Sequence, residues 1–233
     1  MPDETRDLRL LEEILGYRFR NRRLLERALT HASLEQDHNE RLEFLGDAIL
    51  DLVVSHVLFV RYPEAREGEL TEGKAMLVSR STLARVGGRL DLGRWILSSA
   101  DLRKRGSLPR SLLGNAVEAL LAAVYLDCEA VDALPTCTSL VERWLGGELA
   151  RLPETRERKQ AKKILQEWAQ QQGSLPSYVT TDFHDHPDTQ AFQVAAEWAG
   201  RRFPPAWGAS KKEAERRAAW EAILVLRAEG KFG

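Results

Sequence analysis

Asn39-Glu-Arg-Leu-Glu-Phe-Leu-Gly-Asp-Ala-Ile-Leu50 is the stretch whose reading decides the fold. At about 100° per residue, a helix here places Glu43 roughly 60° from Glu40 and Asp47 roughly 20° from it. Three carboxylates then share one stripe. Nearly everything else from Leu42 to Val54 is apolar, and a helix apolar almost all round is expected to be buried. Stacked buried carboxylates are costly unless paired or bound to a cation. No lysine lies in the run, and Arg41 points away from the stripe, so a metal ion held by oxygen ligands resolves the conflict. The competing reading, acids favoured by the helix dipole, covers Glu40 and Glu43 but not Asp47, two turns in.

Leu112–Asp127 is a second, mostly apolar helical pattern. Asn115 and Glu118 lie three residues apart, on one face. An amide oxygen and a carboxylate from this helix would complete an oxygen cage. Mg²⁺ favours such oxygen donors with several waters retained, and such sites serve phosphoryl chemistry. The alternative is a capping and surface pair.

These segments resemble the ribonuclease III family. The likeness extends upstream to Ala28-Leu-Thr-His-Ala-Ser33 and downstream through Glu67-Gly-Glu-Leu-Thr71 to Asp127. It continues into a C-terminal part similar to the double-stranded-RNA-binding domain, and so covers nearly the whole chain. The resemblance implies an α+β chain: an all-α, dimerising endonuclease domain (1–147), a linker (148–158) and an α-β-β-β-α RNA-binding domain (159–229). It implies Mg²⁺-dependent cleavage of both strands of duplex RNA, with Mn²⁺ a plausible substitute. Products would carry 5′-phosphate and 3′-hydroxyl ends with short 3′ overhangs, and substrates would include ribosomal RNA and other structured precursors. By the same resemblance, Asp47 and Glu118 are the catalytic candidates, and Glu40, Glu43, Asp47, Asn115 and Glu118 the metal ligands. Phe44 matches an aromatic of the family's homodimer contact, and Glu69 a further acidic position. Asn115 departs from the family's usual Asp, which removes one negative charge from the cage and predicts weaker Mg²⁺ affinity. A non-cleaving duplex-RNA binder with a weakened metal site is the alternative function.

The 233 residues allow one or two domains, and 43% hydrophobic with 30% charged residues is ordinary for a globular chain. No apolar run approaches the ~20 residues that span a bilayer, so no membrane association is expected. The polar, acidic N-terminus is no secretory signal, and a cytoplasmic protein is expected. Cys128 and Cys137 have no zinc spacing and read as free thiols. The net charge of −1 is uneven: residues 1–155 hold 21 Lys/Arg against 25 Asp/Glu, and residues 156–233 hold 13 against 10. A basic C-terminal part suits nucleic acid.

Helical periodicity runs from Leu8 to about Gly146. Its apolar stripes include Leu10, Ile14 and Leu15, then Leu24, Leu25, Ala28 and Leu29, then Leu70 through Leu90. The Arg103-Lys-Arg105 cluster reads equally as a phosphate contact or a solvated loop. Gly146-Gly147, Pro153 and a charged run mark the linker. Lys162–Gln171 then reads as a helix with Ile164, Leu165, Trp168 and Ala169 inward. Tyr178–Phe183 and Phe192–Trp198 read as strands. Arg201–Trp207 reads as a third, with Pro204 and Pro205 requiring an edge or a break. Ser210 to about Leu226 returns to helix, with Ala214, Ala218 and Leu224 inward.

Ser210 is the expected N-cap of that last helix and Glu213 its box partner. Lys211 and Lys212 at the positive helix end make electrostatic sense if phosphates bind there. The resemblance puts Lys163, Ser210, Lys211 and Lys212 at the RNA, and Gln166 and Gln170 at the minor groove. The His184–Gln190 loop looks about one residue short of the family pattern, which leaves a minor-groove contact from it in question. Its histidines and aspartates read as an exposed polar loop rather than a metal site. His31 and Ser33 lack the glycine elbow and orienting acid of a nucleophilic pair. Neither a phosphate-binding loop nor a dinucleotide fingerprint is present, so no small-molecule cofactor is expected.

Overall fold

A computed structural model describes residues 7–34, 37–100, 109–186 and 189–232. The chain divides into two compact units, residues 1–150 and 151–233.

In the first unit the helices are α1 (Leu8–Leu15), α2 (Arg22–Ala28), α3 (Glu40–Arg61), α4 (Glu67–Leu77), α5 (Arg80–Arg89), α6 (Arg110–Asp127) and α7 (Ala130–Trp144). Helix α6 is central and packs against α2, α3, α5 and α7. Its Ala116, Ala119, Ala122 and Ala123 are fully buried. Small side chains let the surrounding helices approach, while Leu120, Leu121 and Val124 fill the space between them.

The closest approach is at Gly46. A Cβ built there would fall on the backbone carbonyl of Glu118. Only glycine fits, so the signature of α3 is pinned against the middle of α6. Glu43, three residues before Gly46, and Asp47, directly after it, are thereby carried toward Glu118. The same device recurs at Gly87 of α5, where a Cβ would stand 2.7 Å from the Leu113 carbonyl oxygen.

Two buried carboxylates hold the turn between α1 and α2. Asp127 accepts from Tyr17 Oη (2.8 Å) and from the amides of Arg20 (2.7 Å) and Asn21 (2.8 Å). Glu12 accepts from the Phe19 amide at 2.8 Å. Donors with no secondary-structure partner are satisfied this way.

Several expectations need correction. Helix α1 buries Leu11 and Leu15, while Leu10 faces solvent. The run from Leu70 to Leu90 is two helices, because the Ser79 hydroxyl accepts the Thr82 amide and starts α5. Helix α3 is not buried all round: Phe44, Leu52, Phe59 and Val60 are exposed. The expected linker is not a break in secondary structure, since α8 runs without interruption from Gly146 to Gln171, with Pro153 inside it.

The second unit packs α8 and α9 (Lys211–Ala228) with an antiparallel sheet: β1 (Ser177–His186), β2 (Thr189–Trp198), β3 (Arg201–Arg202) and β4 (Ala206–Gly208). β2 pairs with each of the other three. The expected third strand is split in two, as Pro204 and Pro205 cannot donate to a ladder. The core gathers Ala161, Leu165, Val194, Phe203, Ala218, Trp220 and Ile223. Leu224 is exposed rather than inward, and Leu226 is buried in its place. β1 runs to His186 and β2 restarts at Thr189, so most of the expected His184–Gln190 loop is strand. Pro187 and Asp188 lie outside the described residues, as does the Arg103–Arg105 cluster.

Candidate functional site

The α3–α6 crossing assembles the acidic residues. Glu43 and Glu118 are half-buried, while Glu40 and Asp47 are exposed. The stripe therefore lies at the solvent edge of the crossing, which corrects the expectation of a buried stack. Burial pushes the Glu118 carboxyl up to about 7, helped by the charges of Asp47 and Glu43. Burial also raises Glu43; the Asn115 side chain hydrogen-bonds its carboxylate and opposes the rise, and the charge of Glu40 adds to it. Asn115 and Glu118 are thus joined to Glu43 and Asp47, and are not a surface pair.

Among the described residues, no three His, Cys, Asp or Glu side chains converge tightly enough to form a metal cluster. The donor chemistry nevertheless fits a hard divalent cation. Mg²⁺ keeps several waters and is held through one or two carboxylates together with substrate phosphates. A carboxyl held near neutral pH by burial, with adjoining carboxylates adding to it, is a group that a cation would relieve.

Two cations missed in the sequence lie near these acids. Arg80, at the start of α5, acts on both Glu43 and Glu118 and draws their pKa values down. Lys74 Nζ is 2.8 Å from Asp51 Oδ2, one turn beyond Asp47. Periodicity carries no signal for either, because each arrives from a different helix.

A pH dependence follows. The folded value for Glu118 lies above its ordinary 4.5, so between about 4.5 and 7 the folded state binds more protons than the unfolded state. The contribution of this group to stability therefore falls as pH rises through that window. A cation bound at this carboxyl would displace the same proton. Apparent cation affinity is expected to climb with pH up to about 7 and then level off, with proton release on binding. Calorimetry in buffers of different ionisation enthalpy measures that release.

Other sequence candidates take structural places. Glu69 accepts the Arg66 amide at 2.9 Å and caps α4. His31 Nδ1 accepts the Ser33 amide at 3.1 Å, which makes it a turn residue. Cys128 and Cys137 are free thiols, and burial pushes Cys137 up to about 12.

In the second unit, Lys163, Gln166 and Gln170 of α8 are exposed, as are Ser210, Lys211 and Lys212 at the start of α9. Ser210 caps α9 by accepting the Glu213 amide at 3.3 Å. The Glu213 carboxylate in turn accepts the Ala209 amide, one residue before the cap, at 3.0 Å. Lys163, Ser210 and Lys212 line one groove of about 450 Å³ with Lys159, Lys162 and Arg216. Such a set of cations matches a phosphate backbone.

The sequence profile described as Ribonuclease-III-like matches residues 21–143, and the Double-stranded RNA binding motif matches residues 161–226. Ribonuclease 3 of Vibrio cholerae is 39% identical over 225 residues, covering 95% of this chain and 98% of that one. The chain belongs to the ribonuclease III family. It is accordingly a double-strand-specific endoribonuclease with an RNA-binding domain, as the resemblance implied. The crystal structure of the ribonuclease III nuclease domain from Campylobacter jejuni is similar, with 38% identity and a TM-score of 0.55, over 60% of this chain and 96% of that one. A second structure of that nuclease domain is described by flexibility in a region involved in its dimer formation; it shares 38% identity at a TM-score of 0.55, over 59% and 97% of the two chains. No described helix of this ribonuclease III is long and apolar enough to cross a membrane.

Proposed function

We propose that this ribonuclease III hydrolyses duplex RNA at the α3–α6 crossing with Mg²⁺, or Mn²⁺ in its place, held by Glu43, Asp47, Asn115 and Glu118, with Glu40 orienting the group. The supporting observation is Gly46 against the Glu118 carbonyl, which brings the acidic segment of α3 up to that of α6. The cation supplies charge stabilisation at the scissile phosphate. Asp47 and Glu118 are the catalytic carboxylates. Glu118 carries a proton at its carboxyl near neutral pH and gives it up when the site is charged. Asn115 holds Glu43 in place without adding a charge.

Water attacking phosphorus in line with the 3′ oxygen as leaving group breaks the P–O3′ bond and gives 5′-phosphate and 3′-hydroxyl ends. Offset cuts on the two strands give short 3′ overhangs. Two strands require two sites, and Phe44 indicates how a second copy adds one. At 82% exposed, it stands on α3 beside the acidic stripe, and Leu52 and Phe59 extend an apolar face. A homodimer across this face covers that area. The second unit grips the duplex through Lys163, Gln166, Gln170, Ser210, Lys211 and Lys212. Free thiols fit a reducing cytoplasm, where ribosomal RNA and other structured precursors supply duplexes.

Incubation with long duplex RNA tests the reading: short fragments with Mg²⁺ and none with EDTA. Retarded but intact RNA under both conditions would overturn hydrolysis and leave only binding. In the same assay Asn115→Asp is expected to lower the Mg²⁺ concentration for half-maximal cleavage severalfold, since it adds a charged ligand. Superimposable Mg²⁺ curves would contradict that. Lys211→Ala with Lys212→Ala is expected to weaken duplex binding and to reduce the slope of log affinity against log salt by about 2. An unchanged slope would remove both lysines from the phosphate contact.

A further inference from the structure

A second cavity in the C-terminal unit, of about 520 Å³, lies beside the lysine-lined groove. It is formed by residues 155–159 of α8, β4 with Pro205 before it, and the second and third turns of α9. Lys159 and Arg216 line both cavities, so one wall is common to them. Its chemistry differs from that of the groove. The groove offers cations, Ser210, Gln160 and one carboxylate, Glu213. The cavity also has one carboxylate, Glu221, and adds two indoles, Trp207 and Trp220.

The charges here are partly spoken for. Arg217 donates to the Trp207 carbonyl at 2.9 Å and to Glu213 at 2.7 Å, which fixes β4 to α9. Arg158 lies over the Trp220 ring, 5.7 Å from its centroid. Lys159 and Arg216 have no ion-pair or hydrogen-bond partner among the described residues. Trp220 is 5% exposed, and its indole N–H has no acceptor among the described residues. Trp207 is 39% exposed, a large aromatic left in contact with water at the rim of a cationic cavity.

We infer that this cavity binds an unpaired nucleotide of an RNA strand that continues from the duplex held in the adjoining groove. An aromatic face beside unneutralised cations is the arrangement that holds single-stranded nucleic acid, with the base stacked and the phosphate paired. Trp207 stacks the base, and Lys159 and Arg216 carry the phosphates across the common wall. The site takes any base, because every base presents a π face. It would therefore let the protein favour duplexes with single-stranded flanks over blunt ones. The inference rests on the reading of the second unit as a duplex-RNA binder.

Binding by the full chain is measured in EDTA, with a blunt duplex, the same duplex bearing an unpaired 3′ extension, and a third whose extension is abasic. The extension is expected to tighten binding by about tenfold, and the abasic one to recover only part of that gain. Trp207→Ala is expected to lower extended-duplex affinity to the blunt value and leave blunt-duplex affinity unchanged. Trp207→Phe should keep most of the gain, and melting curves of both variants show whether the unit stays folded. Equal affinity for blunt and extended duplexes would overturn the inference, and so would an abasic extension as effective as a normal one. Equal weakening of both duplexes by Trp207→Ala would assign the residue a merely structural role. Failure to bind any duplex would instead remove the underlying reading, and the inference with it.

Discussion

Glu118→Gln is expected to slow duplex cleavage by about three orders of magnitude, with duplex affinity nearly unchanged. The side chain sits half-buried at the crossing, with Asp47 and Glu43 as its charged neighbours. Glutamine keeps its size and its packing on α6. It removes a ligand charge and a carboxyl held near neutral pH. Deleting a like charge from a repulsive group should also raise the melting temperature of the metal-free protein above pH 7. The two effects have opposite signs, so a general loss of fold cannot imitate them. Single-turnover cleavage, gel retardation and thermal melting measure the three quantities. Cleavage within tenfold of the parent would take Glu118 out of the chemistry.

Gly46→Ala is expected to destabilise the first unit by about 3 kcal/mol, the upper range for overpacking a tight contact, and to lower cleavage by about a hundredfold. In an exposed helix the same change would stabilise by about 1 kcal/mol. Here the added methyl meets the Glu118 carbonyl, which is backbone and cannot rotate away. The helices must separate, and Glu43 and Asp47 move away from Glu118 as they do. Denaturant unfolding and the cleavage assay check both effects. A more stable, fully active variant would show that the crossing tolerates a Cβ and that the carboxylates do not depend on it.

Gly46 marks how far the sequence could be read. The spacing of Glu40, Glu43 and Asp47 gave the stripe, and Asn115 with Glu118 gave its partner. The contact that joins them depends on a missing side chain, which periodicity cannot display. The same limit explains Arg80, whose charge reaches Glu43 and Glu118 only through tertiary packing, and Lys74, which pairs with Asp51 from another helix. Hydropathy overstated the burial of α3: Phe44, Leu52, Phe59 and Val60 are apolar yet exposed, because a pattern cannot tell a core face from one left open. In the second unit the strand alternation was legible, and Pro204-Pro205 announced the split of the third strand. The hairpin was less so, since polar residues such as His184 and Asp185 pair across β1 and β2 as readily as they form a loop. Glycine and proline around residues 146–153 suggested a break where the chain remains helical.

The central claim is that carboxylates from α3 and α6 share one divalent cation. Titrating Mn²⁺ into the RNA-free protein, with free ion followed by its electron paramagnetic signal, tests this without any cleavage. The account predicts saturable binding that is lost in both Asp47→Asn and Glu118→Gln, one change on each helix. Undiminished Mn²⁺ binding in either variant would mean that the two helices do not hold a common ion.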